Sequence, residues 1–444
     1  MNKLTSLVTI VLFLSLSLTT AVSGNSNDDY WPIWRGPDAT GAARKGNPPL
    51  TWSETKNIRW KVKLPGQGSS SPIVWDNKIF FQAAVKTDKK PDPETTSKSL
   101  PHGVKTPTNI YKFILVCLDR NSGKLLWQKT VREELPHEGH HPTHGFASYS
   151  PVTDGRFVWA SFGSRGVHCY DIDGNRKWNT DLGKMKTRRA FGEGSSPALA
   201  GDALIVVMDQ EEDSFIYALD KKNGRTLWKK ERNEVTSWAT PVVVEIDGKL
   251  QVIVSATNFI RSYDVKTGDV IWKCSGQVDN VIPTPVVGYG MVFCTSGRRG
   301  NSLQAIELHR KGDLSNTNAV KWHVKEATPY VPSPLLYGDN IYVCSGNKAI
   351  ISCYQAKNGK PVFVKQRLEA IKEIYASPVG AADRVYFVGR KGNVQVIKNS
   401  QNFQILATNT LEDEFDASPA IAGDQLFLKG KKYLYCIASP KKSP

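Results

Sequence analysis

The chain has 444 residues, with 58 Lys and Arg against 42 Asp and Glu, a formal net charge of +16, and 40% hydrophobic and 10% aromatic residues. That apolar share supports a large core, and after the first 23 residues no stretch is apolar enough to cross a bilayer, which excludes a transmembrane span. The basic surplus alone gives salt-sensitive, non-specific attraction to polyanions; no DNA- or RNA-reading motif accompanies it, so nucleic acid is not an expected partner.

Residues 1–23 read as a signal peptide: Lys3, a greasy run over residues 7–18, then small residues with Ala21 and Ser23 suited to cleavage. The mature chain is therefore expected to be periplasmic or secreted. No cysteine lies near the cleavage point, so no lipid anchor is expected. Residues 24–57 form an N-terminal extension, and a repeated region of residues 58–439 follows, leaving a tail of residues 440–444.

A Ser-Pro or Thr-Pro pair recurs at Ser71, Ser150, Ser196, Thr240, Thr284, Ser333, Ser377 and Ser418, each followed by a run of β-formers. After a first interval of 79 residues the spacings are 46, 44, 44, 49, 44 and 41. About 45 residues is the length of one four-stranded sheet with three short turns, the unit of a propeller blade. Length alone suggests about three domains, but the period overrides it: the expected fold is all-β, a single eight-bladed β-propeller of four-stranded antiparallel blades.

Within each unit, an apolar strand ends in an acid, turns through a glycine and closes on tryptophan: CLDRNSGKLLW to Trp127, ALDKKNGRTLW to Trp228 and SYDVKTGDVIW to Trp272. Asp119, Asp220 and Asp264 cap the turn, the glycine four residues on takes positive φ, and the indole wedges against a neighbouring blade. Blade two is a residue shorter to Trp178, blade five carries the insertion HRKGDLSNTNA before Trp322, and Phe363 and Leu406 replace tryptophan in blades six and seven. The eighth unit has no tryptophan strand of its own. Residues 58–62, with Trp60, supply one, so the N-terminal strand is expected to complete the last blade and close the ring.

Seven cysteines in an exported chain invite a disulfide reading, but Cys117, Cys169, Cys353 and Cys436 occupy third strands of different blades, too far apart to bridge. Cys344 and Cys353 could meet across a hairpin. No C-x-x-C spacing favours zinc.

Additions to the first interval mark the functional face. Residues 86–110 and 133–146 both fall on the side that carries the links into each Ser/Thr-Pro pair, and long loops in a compact fold are usually functional or disordered. The second contains HEGHHPTH, placing His137, His140, His141 and His144 within eight residues; they read either as zinc or copper ligands or as a polar loop bonded to backbone. Arg165, Arg188, Arg189, Arg298, Arg299, Lys348, Arg390, Lys391, Lys431 and Lys432 map to the same face and would focus positive potential on an anionic ligand. Glu193, Glu211, Glu212, Asp213, Asp279 and Asp416 lie there too. Tyr149, Trp238, Tyr330 and Tyr375 precede Ser/Thr-Pro pairs and either stack on a ligand or plug the channel.

The AxDxxxGxxxW-like units resemble the tryptophan-docking repeat of quinoprotein alcohol dehydrogenases and the wider family of PQQ-like propellers, which includes a lipoprotein of outer-membrane β-barrel assembly. The segments WPIWRGPDATG and LTWSETKNIRWKVKLPGQGSSSP look especially like exported bacterial members. The resemblance implies the fold; for activity it offers a non-catalytic binding or assembly scaffold, or a quinone-dependent dehydrogenase of alcohols or sugars. A dehydrogenase site would need pyrroloquinoline quinone, calcium with its oxygen ligands, an Asp base and adjacent bridged cysteines. This sequence has no adjacent cysteine pair, and no G-x-S-x-G, H-E-x-x-H or phosphate loop. The expectation is thus a monomeric scaffold whose protein partner, or anionic glycan or small molecule of the cell envelope, meets the Arg- and aromatic-rich loop face, with no catalytic residue assigned.

Overall fold

The computed structural model describes residues 27–92, 104 and 106–440. Residues 1–26, 93–103, 105 and 441–444 lie outside this range, and with them the expected signal peptide of residues 1–23 and part of the first addition of residues 86–110. Eight antiparallel sheets follow one another around a central axis. Blade one holds Ile73–Trp75, Lys78–Lys86, Tyr111–Asp119 and Leu125–Glu134, ordered from the axis outwards. Blade eight holds Ala420–Ala422, Gln425–Lys429 and Tyr433–Ile437, and its outer strand is Ile58–Lys63 from the other end of the chain. Trp60 stands opposite Cys436 and Val62 opposite Leu434, the pairing that removes the two open edges of a linear array.

The repeat that names the period also holds the inner wall together. The backbone N–H of each Ser or Thr donates to the hydroxyl of its counterpart in the next blade, from Ser71 to Ser150 and so on round to Ser418, whose N–H donates to Ser71 Oγ. All eight bonds measure 2.9–3.1 Å and all are buried. The following proline offers no N–H, so it leaves no orphan donor at the crowded axis.

Tryptophans fasten the blades further out. The indole N–H of Trp60, Trp127, Trp178, Trp228 and Trp322 donates to the carbonyl of Arg120, Ile172, Lys221, Val265 and Ala356 in the next blade at 2.8–3.0 Å. Each ring lies on the turn glycine of that blade; a Cβ on Gly123, whose φ is +72°, would come within 2.8 Å of the Trp60 ring. Trp272 is the exception, because the next blade carries the insertion in place of that turn. Gly312–Asp313 of the insertion adds a parallel fifth strand beside Trp272 and Lys273, and Leu308, Leu314 and Ala319 cover the fully buried indole, whose N–H has no partner among the described residues.

The pairing of third to outer strand bulges by one residue just before the tryptophan, skipping Leu126, Leu227 and Ile271 in blades one, three and four. The extra residue increases local twist and leaves Leu126 and Leu227 exposed. The Cys344–Cys353 pairing does not form: Cys344 faces Ile351, Cys353 faces Tyr342, and all seven thiols are free and buried.

The N-terminal extension does what its sequence did not reveal. Trp31 pairs with Val74 of blade one, the Pro32 carbonyl accepts from Thr153 of blade two, the Thr40 carbonyl from Leu336 of blade six, and Ala43 donates to Gly380 of blade seven. The segment therefore crosses the axis beneath the Ser/Thr ring. Arg35, 1% exposed, donates to the Pro378 and Pro334 carbonyls at 2.8 and 2.9 Å. Burial pushes its pKa down to about 9, still a cation at neutral pH. Gly41 is packed on the guanidinium and Gly36 on the Trp31 ring, so neither position has room for a side chain.

Trp60→Ala removes a large indole from the closing seam and should cost about 3–5 kcal/mol, read as a lower midpoint in denaturant unfolding at unchanged secondary structure.

Candidate functional site

Above the Ser/Thr ring the inner strand ends surround a cavity of about 370 Å³, within the size range of small-molecule sites. Five ring serines form a contiguous arc on its wall, from Ser377 of blade seven through Ser418, Ser71 and Ser150 to Ser196 of blade three. Trp34, from the segment that crosses the axis, also lines it, as do Phe191, Trp238, Tyr330 and Tyr375. The Trp238 indole is fixed by a 2.7 Å bond from its N–H to the Gly192 carbonyl.

Of the aromatics expected at the mouth, Trp238, Tyr330 and Tyr375 are there. Tyr149 is not: it is 2% exposed and its hydroxyl donates to Glu193 at 2.8 Å. Sequence reasoning missed Trp34 and Phe191. Trp34 sits in a segment with no repeat period, and Phe191 in a loop whose path only the fold decides.

The cations separate into different fates. Arg165 is 4% exposed, ion-paired with Glu193 at 3.2 Å and Glu134 at 3.5 Å, and stacked on Phe113; it fastens the loops of blade two and does not face the cavity. Arg390 lies 3.9 Å over the Tyr375 ring and is held by Asp416 at 2.6 Å and Glu373 at 2.9 Å. Arg188 and Arg299 both approach Asp279 at 3.8 Å, and neither they nor Arg189 lines the cavity. Lys391 and Lys431 clamp Glu414. Arg298 differs: it lines the cavity, donates to the Tyr330 hydroxyl at 3.0 Å, and has no carboxylate within 4 Å among the described residues.

The histidine-rich loop leans over the same mouth. Thr143 Oγ1 donates to the Tyr375 hydroxyl across the funnel at 3.4 Å, and Glu138 caps the Thr187 N–H and hydroxyl. The four imidazoles have separate partners, which argues for the bonded-loop reading over metal ligation. His137 donates to the Met185 carbonyl, His140 to that of His141, and His144 to that of Glu193 at 2.9 Å, while His141 Nδ1 accepts from the Thr143 N–H. Among the described residues no group of three or more His, Cys, Asp or Glu is placed to hold a metal ion.

The family follows from the repeat. Residues 112–365 and 274–443 match the family model described as the outer membrane protein assembly factor BamB. The chain belongs to that family. The BamB of Moraxella catarrhalis shares the fold at a TM-score of 0.53 and 14% identity, covering 80% of this chain and 98% of that one. Among curated proteins the chain is 23% identical over 322 residues to the tetrathionate hydrolase of Acidithiobacillus ferrooxidans, 66% of this chain and 58% of that protein. It is 27% identical over 89 residues to methanol dehydrogenase (cytochrome c) subunit 1 of Methylorubrum extorquens, 18% of this chain and 13% of that protein. The chain thus spans less than two thirds of the length of these curated relatives.

A quinone with calcium does not fit this BamB-family cavity. Calcium takes about six to eight oxygen ligands, several of them carboxylates. Among the described residues the one carboxylate lining the cavity, Asp416, is taken by Arg390.

His144 is part-buried in the cavity wall, and burial pushes its pKa down to about 4, with the neighbouring His140 and His141 adding to the effect and the Glu193 carbonyl opposing it; burial likewise holds His168 at about 4. Both folded values lie below the ordinary 6.5, so the unfolded chain binds more protons between those limits. Their contribution is complete above pH 6.5 and is lost as pH drops towards 4, by about 2–3 kcal/mol at pH 4.5 for the buried His168 and by less for His144, which faces the cavity. His144→Gln, which keeps a donor for the Glu193 carbonyl, should flatten part of the fall in melting temperature between pH 7 and 4.5.

Proposed function

We propose that this propeller is an exported, non-catalytic binding or assembly scaffold that meets its ligand or protein partner on the loop face, at the mouth of the central funnel. The observation that carries this reading is the cavity itself: a cup with fixed aromatic walls, floored by the N-terminal segment through Trp34 and roofed in part by the histidine-rich loop. Membership in the BamB family supports an assembly role.

The groups inside the cup suit recognition better than turnover. Ser148 and His144 Nδ1 approach to 3.4 Å, the nearest thing to a nucleophile and base, but an imidazole whose pKa is pushed to about 4 is a weak base at neutral pH. The second reading, a quinone-dependent oxidoreductase of alcohols or sugars, is favoured by the short likeness to methanol dehydrogenase and opposed by the carboxylate set.

Two measurements separate them. Titration with pyrroloquinoline quinone and calcium, followed by tryptophan quenching and by dye reduction with alcohols or sugars, should give no saturable turnover; turnover would overturn the scaffold reading. The double variant Trp238→Ala, Tyr375→Ala, at unchanged melting temperature, should lose about 30-fold or more in affinity for whatever envelope component the wild-type chain retains, as loss of buried aromatic anchors does.

A further inference from the structure

Each ring serine accepts one backbone N–H, and none of the five on the cavity wall donates its own hydroxyl proton to any acceptor among the described residues. A buried hydroxyl donor without an acceptor is costly unless a guest or water supplies one. The cup therefore presents an arc of O–H donors on the side of blades seven, eight, one, two and three. Blade five lies opposite the middle of that arc, and its contribution is Arg298, the cavity-lining cation that faces no carboxylate. Trp238, Tyr330 and Tyr375 stand around the mouth between these two sides.

These three features select one ligand chemistry. Aromatic walls suit the C–H face of a pyranose, or any flat ring. An arc of hydroxyl donors needs several acceptors spread along one edge, which a sugar has and a simple aromatic acid lacks. An unpaired guanidinium on the opposite side calls for a single carboxylate, the partner that each neighbouring arginine already has within the chain. The volume of about 370 Å³ admits one or two sugar rings.

We propose that the cup binds a uronate, a sugar ring bearing one carboxylate, free or at the end of an acidic glycan, with the carboxylate on Arg298 and the ring hydroxyls along the serine arc. The proposal rests on the reading of the protein as a binding propeller. Arg298 in this view fixes the orientation of the sugar, and the Tyr330 hydroxyl holds the guanidinium ready.

The test is a tryptophan-fluorescence titration of the full mature chain with D-glucuronate, D-glucose and benzoate in parallel. Glucuronate should quench saturably, and glucose and benzoate should each bind about tenfold or more weaker. Arg298→Gln, which retains a donor for Tyr330, should bring glucuronate down to the level of glucose while leaving the melting temperature unchanged; Arg298→Lys should recover part of the difference. Glucose binding as tightly as glucuronate would overturn the carboxylate assignment, and benzoate binding as tightly would overturn the sugar. Absence of binding by all three would overturn the proposal outright. The broader scaffold reading fails on a different result: retention of an envelope component by wild-type chain that the Trp238 and Tyr375 variant leaves unchanged.

Discussion

Eight hydrogen bonds at the axis, each from the N–H of one Ser or Thr to the hydroxyl of the next, tie every blade to its neighbour where the strands are shortest and most crowded. The inner strands of blades one and two have only three and two residues, too few to register a sheet through side-chain packing alone. A buried N–H left without an acceptor there would cost about 1–3 kcal/mol, so a hydroxyl is required at every one of the eight positions, and this is why the sequence shows Ser or Thr at each. The last bond, from Ser418 to Ser71, joins residues 347 positions apart. It makes the circle a chemical loop of equivalent contacts and fixes how many blades can fit.

The tryptophan contacts form a second, outer tier of the same kind. An indole laid on the next blade's turn glycine, with its N–H on the carbonyl beside that turn, sets the spacing between blades at larger radius. The tier tolerates replacement where the inner one does not. Blade six puts Phe363 against Phe403, and blade five covers Trp272 with its own insertion. An outer seam is bulk apolar burial, which many shapes satisfy; an axial hydrogen bond needs a particular donor and acceptor.

That difference explains what was legible in the sequence. The period and the closure by the strand around Trp60 follow from features that repeat, and repetition survives in a single sequence. The segment across the axis does not repeat. Arg35 is held by the carbonyls of Pro334 and Pro378, which carry no side-chain signature, and Trp34 reaches the cavity only because the chain crosses the axis there. The arginines were legible as a group and illegible one by one. Arg165 and Arg298 occupy corresponding turns on the same face, yet Arg165 is consumed by Glu134 and Glu193 while Arg298 is not, and the deciding carboxylates come from segments tens of residues away.

Net charge is accordingly a poor guide to where an anion would bind. The chain carries +16 overall, but on the loop face Arg165, Arg188, Arg299, Arg390, Lys391 and Lys431 are neutralised by local pairs whose mutual attraction leaves little field for a guest. What distinguishes the cavity is a mismatch inside it. The ring that closes the fold uses the serine oxygens as acceptors, and among the described residues their protons have no acceptor and the blade-five guanidinium across from them has no carboxylate within 4 Å. The same bonds that stabilise the propeller therefore leave hydroxyl donors at its centre opposite a cation, and it is on this pairing that the uronate proposal rests.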